Sequence, residues 1–423
     1  MVIILFTLFL IFLSYLKFKN LHNPLFVFSL WFFTSTLILF IDPFDYTYPI
    51  NSINLSVMGY LSFTISFLFF NNKRKASITR VFKPYKFLKF LIFFTLFLSL
   101  FVYIELLASF LEGASLSYIR DLYFAEPITF LEKILYYIDR FLVIPLRYIS
   151  LISFGFLLAN KKVSFLDFLF FSSMVLISIL STGGRFILVN LFYAIVFSLL
   201  ISSKKTTRKK SIGSVKIFIS VVGLTAIVLV LGFYITSLRV SIGNLNLLSS
   251  YIKTIYLYFF GGFHFFETII ATYNIIPINI FGFSLLRGFL EPIISILSLL
   301  TNFNSPEFFS SVLYYTGPSL DIGNFTFYNA FSTAYFYGYV DSGLFGIVFI
   351  FFIIGILSKY FYNNISSSNN FYFYSVYILN LIMISNFNTT LFLYSSTFSL
   401  SYLYIIIFYS LFLFSQKFSK VKK

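Results

Sequence analysis

Residues 141–159 read FLVIPLRYISLISFGFLLA, a run of 19 residues in which Arg147 is the only charged side chain. This length and apolarity are what an α-helix needs to cross the hydrocarbon core of a bilayer. Comparable runs lie near 2–16, 25–42, 54–70, 87–110, 164–181, 186–202, 216–237, 342–361, 371–387 and 391–413. The sequence therefore predicts an all-α, polytopic integral membrane protein, with about eleven transmembrane helices in a single domain over residues 1–423.

The charge distribution agrees with this class. The chain is 59% hydrophobic and 10% charged, with a net charge of +16. When alternate loops are assigned to opposite sides, one side holds 22 of the 30 basic residues and one of the 14 acidic residues, Asp167. This is the positive-inside pattern, which places the C-terminus in the cytoplasm. Because the excess charge fixes orientation, we expect no nucleic-acid partner.

The residue types also limit the chemistry. The chain has no cysteine and two widely separated histidines, His22 and His264. Disulfides and thiolate catalysis are excluded, and a histidine-rich metal site is not expected. The sequence contains no nucleotide-binding motif either, so we expect neither a metal nor a cofactor.

A large external loop is predicted over residues 238–341. It carries two apolar segments, 251–272 and 281–300, which could form one more membrane hairpin. Their connecting turn, TYNIIPINI, would then face the cytoplasm without a Lys or Arg. We therefore favour re-entrant or interfacial helices packed over the outer mouth of the bundle.

The end of this loop, NFTFYNAFSTAYFYGYVDSGLFG at 324–346, combines aromatic and small polar residues. Tyr335, Tyr337 and Tyr339 are candidate sugar-stacking residues, although an interfacial aromatic belt has the same composition. Asp341 follows them and is a candidate general base. Its alternative role is to cap the N-terminus of the span that follows it.

Arginines on the predicted outer side are candidates for binding a pyrophosphate. Arg147 lies within a span, where it needs a partner or an aqueous cavity, and Glu105 is the expected structural partner. Arg185 follows Ser-Thr-Gly-Gly at the start of a span, an arrangement suited to anions, although a plain hairpin turn would look alike. For Arg239 and Arg287, a ligand contact and a surface ion pair are both compatible with the sequence.

His264 and Glu267 lie three residues apart in YFFGGFHFFE and would share one helical face. They could act as a general base and the acid that orients it. A packed histidine in an aromatic run is the alternative.

With these motifs, the chain resembles the O-antigen polymerases, also called Wzy-type oligosaccharide repeat-unit polymerases. The resemblance rests on STGGR at 181–185, YFFGGF at 258–263 and the stretch 324–346, in which Tyr339, Asp341 and Gly343 are each one residue apart. Order, spacing and topology agree over most of the chain. Single-residue roles carry over to Arg185, Asp341 and Arg239.

The resemblance implies a metal-independent glycosyltransferase of the C-type fold in the bacterial cytoplasmic membrane, with its active site facing the exterior. Such an enzyme transfers a growing glycan from undecaprenyl pyrophosphate onto the sugar of another undecaprenyl-pyrophosphate-linked repeat unit. Its partners would be these lipid-linked oligosaccharides, membrane lipids and a chain-length regulator protein.

Three other functions remain open at this point. An O-antigen ligase would share the architecture and one substrate. A lipid-linked oligosaccharide flippase should show two similar halves with charges deep in several spans. A membrane scaffold without catalytic activity would leave the outer arginines and aromatics unexplained.

Overall fold

The structure is a computed structural model that describes residues 2–70, 84–125, 127–182, 184, 186–203, 210–237, 247–273, 275, 277–301, 306–309, 311–316, 319–324, 326–328, 332–365 and 370–421. It is 83% helical. The predicted all-α class is therefore confirmed.

The helices are, in chain order, α1 (Val2–Phe18), α2 (Pro24–Ile41), α3 (Ile50–Phe69), α4 (Tyr85–Leu111), α5 (Leu116–Phe124), α6 (Phe130–Ile138), α7 (Ile144–Ala159), α8 (Phe165–Thr182), α9 (Phe186–Ser203), α10 (Lys210–Ser237), α11 (Leu247–Thr272), α12 (Phe283–Leu300), α13 (Ser311–Thr316), α14 (Ala334–Ile365), α15 (Phe371–Ser385) and α16 (Ser396–Val421). A π-helical turn, Asp139–Val143, joins α6 to α7, and 3-10 turns lie at Glu307–Phe309 and Phe392–Tyr394. Two short antiparallel strands, β1 (Leu320–Asp321) and β2 (Phe327–Tyr328), pair with Leu320 opposite Tyr328.

Eight helical stretches of the described chain are long and apolar enough to cross a membrane, and five apolar helices are shorter. Six of the eight and all five shorter helices coincide with the predicted runs. The other two are α11 and α12, in the predicted external loop. The protein is thus a multi-pass membrane protein. Whether α11 and α12 lie at the interface stays a prediction, since their length also fits a crossing.

The chain forms two compact units. The first contains residues 1–78, 252–368 and 380–399, and the second contains residues 79–251, 369–379 and 400–423. The prediction of a single membrane domain did not include this division. Each unit is described by itself below.

In the first unit, helix α14 breaks at Ser342 and Gly343, where the backbone is not helical. Gly343 has φ 59°, a conformation that glycine adopts without strain. A Cβ atom placed on Gly346 would overlap the carbonyl oxygen of Gly338. Residues eight apart in a continuous helix are separated by about 12 Å. The break therefore folds the first turns of α14 back against the rest of the helix.

The break is bridged by the segment before α12. The N–H groups of Ile278 and Ile280 donate to the carbonyl oxygens of Val340 (3.0 Å) and Asp341 (3.2 Å). A helix interruption frees carbonyls of this kind, and buried carbonyls need a donor. The start of α12 is thereby held against the turn at Asp341.

In the second unit, the π-helical turn Asp139–Val143 precedes Pro145. Proline has no N–H to donate to the carbonyl four residues earlier, which belongs to Phe141. That carbonyl accepts from the Tyr404 hydroxyl instead. The turn places Asp139 in the unit's interior, with 5% of its surface exposed.

Candidate functional site

Asp341 caps the N-terminus of α12. This helix begins after Gly282, which offers no capping side chain. The Asp341 carboxylate accepts from the backbone N–H of Ser284 (2.9 Å) and from the Ser284 hydroxyl (2.7 Å). An acid near a helix N-terminus also interacts favourably with the helix dipole. The sequence had predicted a cap for the helix that follows Asp341, and this contact is instead made to a different helix.

Arg287 lies one turn further along α12 and is 8% exposed. Its guanidinium donates to Glu291 (3.1 Å) and to the backbone carbonyls of Tyr394 (3.1 Å) and Phe309 (3.2 Å). It also lies over the Tyr394 ring, 4.1 Å from the centroid. Glu291 in turn accepts from the N–H of Ser396 at 3.3 Å. Of the two alternatives for Arg287, the ion pair is present, and it is buried rather than at the surface.

Tyr337 joins the two groups. Its ring centroid lies 4.7 Å from that of Tyr394, and its hydroxyl accepts from Thr390 at 3.2 Å. The Ser284 hydroxyl lies 3.3 Å from the Tyr337 carbonyl oxygen. Tyr394 is within electrostatic reach of Asp341, Arg287, Glu291 and Tyr337. We call these residues the α12 cluster: Ser284, Arg287, Glu291, Tyr337, Asp341 and Tyr394.

The α12 cluster combines an acid that can accept a proton with a cation that can bind an oxyanion. Asp341 retains unused lone pairs, because a carboxylate can accept about four hydrogen bonds. Arg287 is already compensated by Glu291 and two carbonyls. It could bind an anionic ligand only by exchanging one of these partners.

Glu267 caps another helix. Its carboxylate accepts from the Asn51 side chain (2.7 Å) and from the backbone N–H of Ser52 (2.8 Å), in the first turn of α3. Pro49 at the N-cap of α3 makes no side-chain capping bond. Glu267 therefore supplies the missing cap.

His264 has different partners from Glu267. It is 2% exposed, and its Nε2 lies 2.8 Å from the Tyr256 hydroxyl. Its Nδ1 lies 3.0 Å from the Thr47 carbonyl oxygen, an acceptor that requires the proton on Nδ1. The Tyr256 hydroxyl also lies 3.4 Å from Asp42. Burial raises the pKa of the Asp42 carboxyl group above its ordinary value, against smaller lowering contributions from nearby hydrogen bonds. The predicted pairing of His264 with Glu267 is not what these contacts describe.

The three predicted sugar-binding tyrosines lie in different surroundings. Tyr335 is fully buried and stacks on Phe351 with 4.6 Å between ring centroids. Its ring also packs against Gly59. Tyr337 and Tyr339 are half-buried. Stacking against a sugar thus stays a prediction for Tyr337 and Tyr339, whereas the position of Tyr335 favours a role in the core.

Arg147 belongs to a buried network in the second unit. Its Nη2 donates to the Tyr103 hydroxyl at 2.6 Å. The Asp139 carboxylate accepts from Tyr103 (2.5 Å) and from Tyr123 (2.8 Å). Arg147 is 7% exposed, and its Nε has no hydrogen-bond partner among the described residues. The predicted partner, Glu105, is exposed, and the network reaches Asp139 instead.

Two of the predicted arginines, Arg185 and Arg239, lie outside the described residues. Sequence reasoning missed Ser284, Tyr394, Tyr103 and Asp139. Pro145, which comes shortly after Asp139, was the available signal for an altered helical turn. No comparable signal marks Tyr394, because its role depends on a contact with a helix about 100 residues earlier.

Compared with family models, with curated proteins and with solved structures, the chain matches none of them. Within the described part of the chain, no group of three or more His, Cys, Asp or Glu side chains is placed to hold a metal ion. The choice of function therefore depends on the motifs and on the geometry of the α12 cluster.

Proposed function

We propose that the protein polymerises lipid-linked oligosaccharide repeat units at the outer leaflet of the bacterial cytoplasmic membrane. Its substrates would be glycans carried on undecaprenyl pyrophosphate. The growing glycan would move from its carrier onto the terminal sugar of another lipid-linked repeat unit.

In this reaction, a hydroxyl oxygen of the acceptor sugar forms a bond to the anomeric carbon of the donor glycan. The bond from that carbon to the pyrophosphate oxygen breaks, and the pyrophosphate leaves with the electron pair. The hydroxyl proton passes to a base, for which we propose Asp341. Arginine suits the departing pyrophosphate, because its planar guanidinium matches phosphate oxygens and stays charged. The donor bond is already activated, so the reaction needs no nucleotide.

The observation that supports this proposal is the convergence of three residues with three different predicted roles. Asp341, Arg287 and Tyr337 come from parts of the chain about 50 residues apart, and all three lie in the α12 cluster. A base, a cation and an aromatic ring within one cluster are what a sugar transfer from pyrophosphate requires.

The test is reconstitution of the purified protein in liposomes with a purified undecaprenyl-pyrophosphate-linked repeat unit. We expect a ladder of products without nucleotide or added metal. Asp341→Asn should abolish the ladder. Asn can still accept the Ser284 N–H, and the Ser284 hydroxyl can turn toward the Tyr337 carbonyl, so the cap is retained.

Asp167→Asn is the matched control. Asp167 also caps a helix, by accepting from the N–H of Ser164 at 2.7 Å, and it pairs with Lys89. If both variants reduce the ladder equally, loss of a cap explains the result and the proposed base is wrong. Absence of any ladder with wild-type protein, together with transfer to a lipid A acceptor, would identify a ligase. Movement of the intact lipid-linked unit across the bilayer would identify a flippase.

A further inference from the structure

A groove along α1 is shaped for an acyl chain. It has a volume of about 570 Å³ and is lined by Leu5, Leu8, Phe9, Phe12, Tyr15 and Phe26. Leu5 and Tyr15 are ten residues apart, so the groove extends about 15 Å along the helix, half of the ~30 Å hydrocarbon core. Its length thus matches one leaflet.

One end of this groove is polar and basic. Tyr15 lies there, and exposed Lys17 and Lys19 follow directly. Of the described carboxylates, none lies within ion-pair distance of either lysine. The Lys17 ammonium lies 5.7 Å from the Phe18 ring centroid, and Lys359 lies 4.6 Å from the same ring. Three cations thus surround the end of α1, without a described acid to neutralise them.

The turn that carries these lysines is held in place. Asn20 in the turn between α1 and α2 donates to the Tyr362 hydroxyl at 2.8 Å, and both residues are buried. The Phe18 ring packs edge-on against Tyr362, with 5.7 Å between centroids. The basic end therefore has a defined position relative to the apolar groove.

We propose that this α1 groove binds one anionic glycerophospholipid. An acyl chain would lie between Leu5 and Tyr15, and the phosphate would contact Lys17 and Lys19. Charge complementarity determines the choice, because a zwitterionic headgroup would leave the cluster of cations uncompensated. Each lysine near an anionic membrane surface contributes about fivefold to association. This site does not depend on the proposed polymerase activity.

The test compares phosphatidylglycerol with phosphatidylcholine of identical acyl chains, by native mass spectrometry of the full-length protein. Wild-type protein should bind phosphatidylglycerol at least about fivefold more tightly at one site. The double variant Lys17→Gln/Lys19→Gln should lose this preference. The matched control, Lys161→Gln/Lys162→Gln, removes two exposed lysines from another turn and should retain it.

A second variant tests the groove itself. Leu8 is 49% exposed, so Leu8→Trp can fill the groove without disturbing the core. It should reduce binding of both lipids at this site. Equal binding of the two lipids by wild-type protein would overturn the proposal, as would an equal loss in the Lys161/Lys162 control or unchanged binding in Leu8→Trp. A protein dimer that disappears in Leu8→Trp would show that a second copy of the chain occupies the groove instead.

Discussion

Arg147 and Arg287 are both buried arginines, and they are compensated in opposite ways. Arg287 pairs directly with Glu291 and also donates to two backbone carbonyls. Arg147 reaches Asp139 only through the Tyr103 hydroxyl, and its Nε lacks a described partner. A direct pair with several acceptors tolerates the loss of one of them. A pair connected through one hydroxyl depends on that hydroxyl.

The two regions also differ in where their acids lie. Asp139 accepts from two tyrosines in the interior of its unit, which leaves it occupied on both oxygens. Asp341 makes both of its bonds to a single residue, Ser284. The α12 cluster is therefore better suited to chemistry, and the Arg147 network is better suited to holding its helices together.

The largest expected effect concerns Asp341. Asp341→Asn should lower polymer formation by at least about 100-fold, because a positioned general base contributes this much or more. The measurement is the rate of ladder formation in liposomes. Asp139→Asn should leave the rate of correctly folded protein within a few fold. A stronger loss of activity in Asp139→Asn than in Asp341→Asn would reverse the comparison.

The next effect concerns stability. Tyr103→Phe separates Arg147 from Asp139 and should lower the free energy of unfolding by about 3–5 kcal/mol, the usual cost of leaving a buried charge without its partner. Denaturant titration of the detergent-solubilised protein measures it. Tyr123→Phe is the control, since its hydroxyl also donates to Asp139 but does not contact Arg147 in the described contacts. The control should lose about 1 kcal/mol. Equal losses would show that Tyr103 does not connect the two charges.

Arg287→Lys should reduce polymer formation by about tenfold, because an ammonium group cannot bind two phosphate oxygens in one plane. The expected cost in stability is small, since Lys can still pair with Glu291. Single-turnover rates separate this effect from substrate binding. Chain lengths equal to those of wild-type protein would limit Arg287 to a structural role.

Glu291→Gln should have a smaller effect, about 1 kcal/mol in the free energy of unfolding. Arg287 retains two carbonyl acceptors, and Gln can still accept from the Ser396 N–H. The same denaturant titration measures this variant. A loss as large as that of Tyr103→Phe would contradict the contrast between direct and relayed pairing.

The smallest expected effect is that of a chelator. Excess EDTA should leave the ladder unchanged, because the proposed roles of Asp341 and Arg287 use no metal ion. Loss of activity that Mg²⁺ or Mn²⁺ restores would contradict this.

Asp341 shows how far sequence reasoning reached. Its position after an aromatic stretch and before two glycines marked it as a candidate. The sequence could not show that its hydrogen bonds go to α12, because Ser284 lies 57 residues away. Glu267 was marked in the same way, by its proximity to His264. Its actual partners in α3 lie more than 200 residues earlier.

Apolar length and the asymmetry of the basic residues determined the membrane class and the helical fold from the sequence alone. Both are local properties, since each span must satisfy its own backbone in lipid. Only the tertiary structure decided which charges meet. A buried charge takes whichever partner the packing brings within about 3 Å. For Arg287 that packing supplied Glu291 on its own helix and the carbonyl of Tyr394, whereas for Arg147 it supplied Tyr103 and, through it, Asp139.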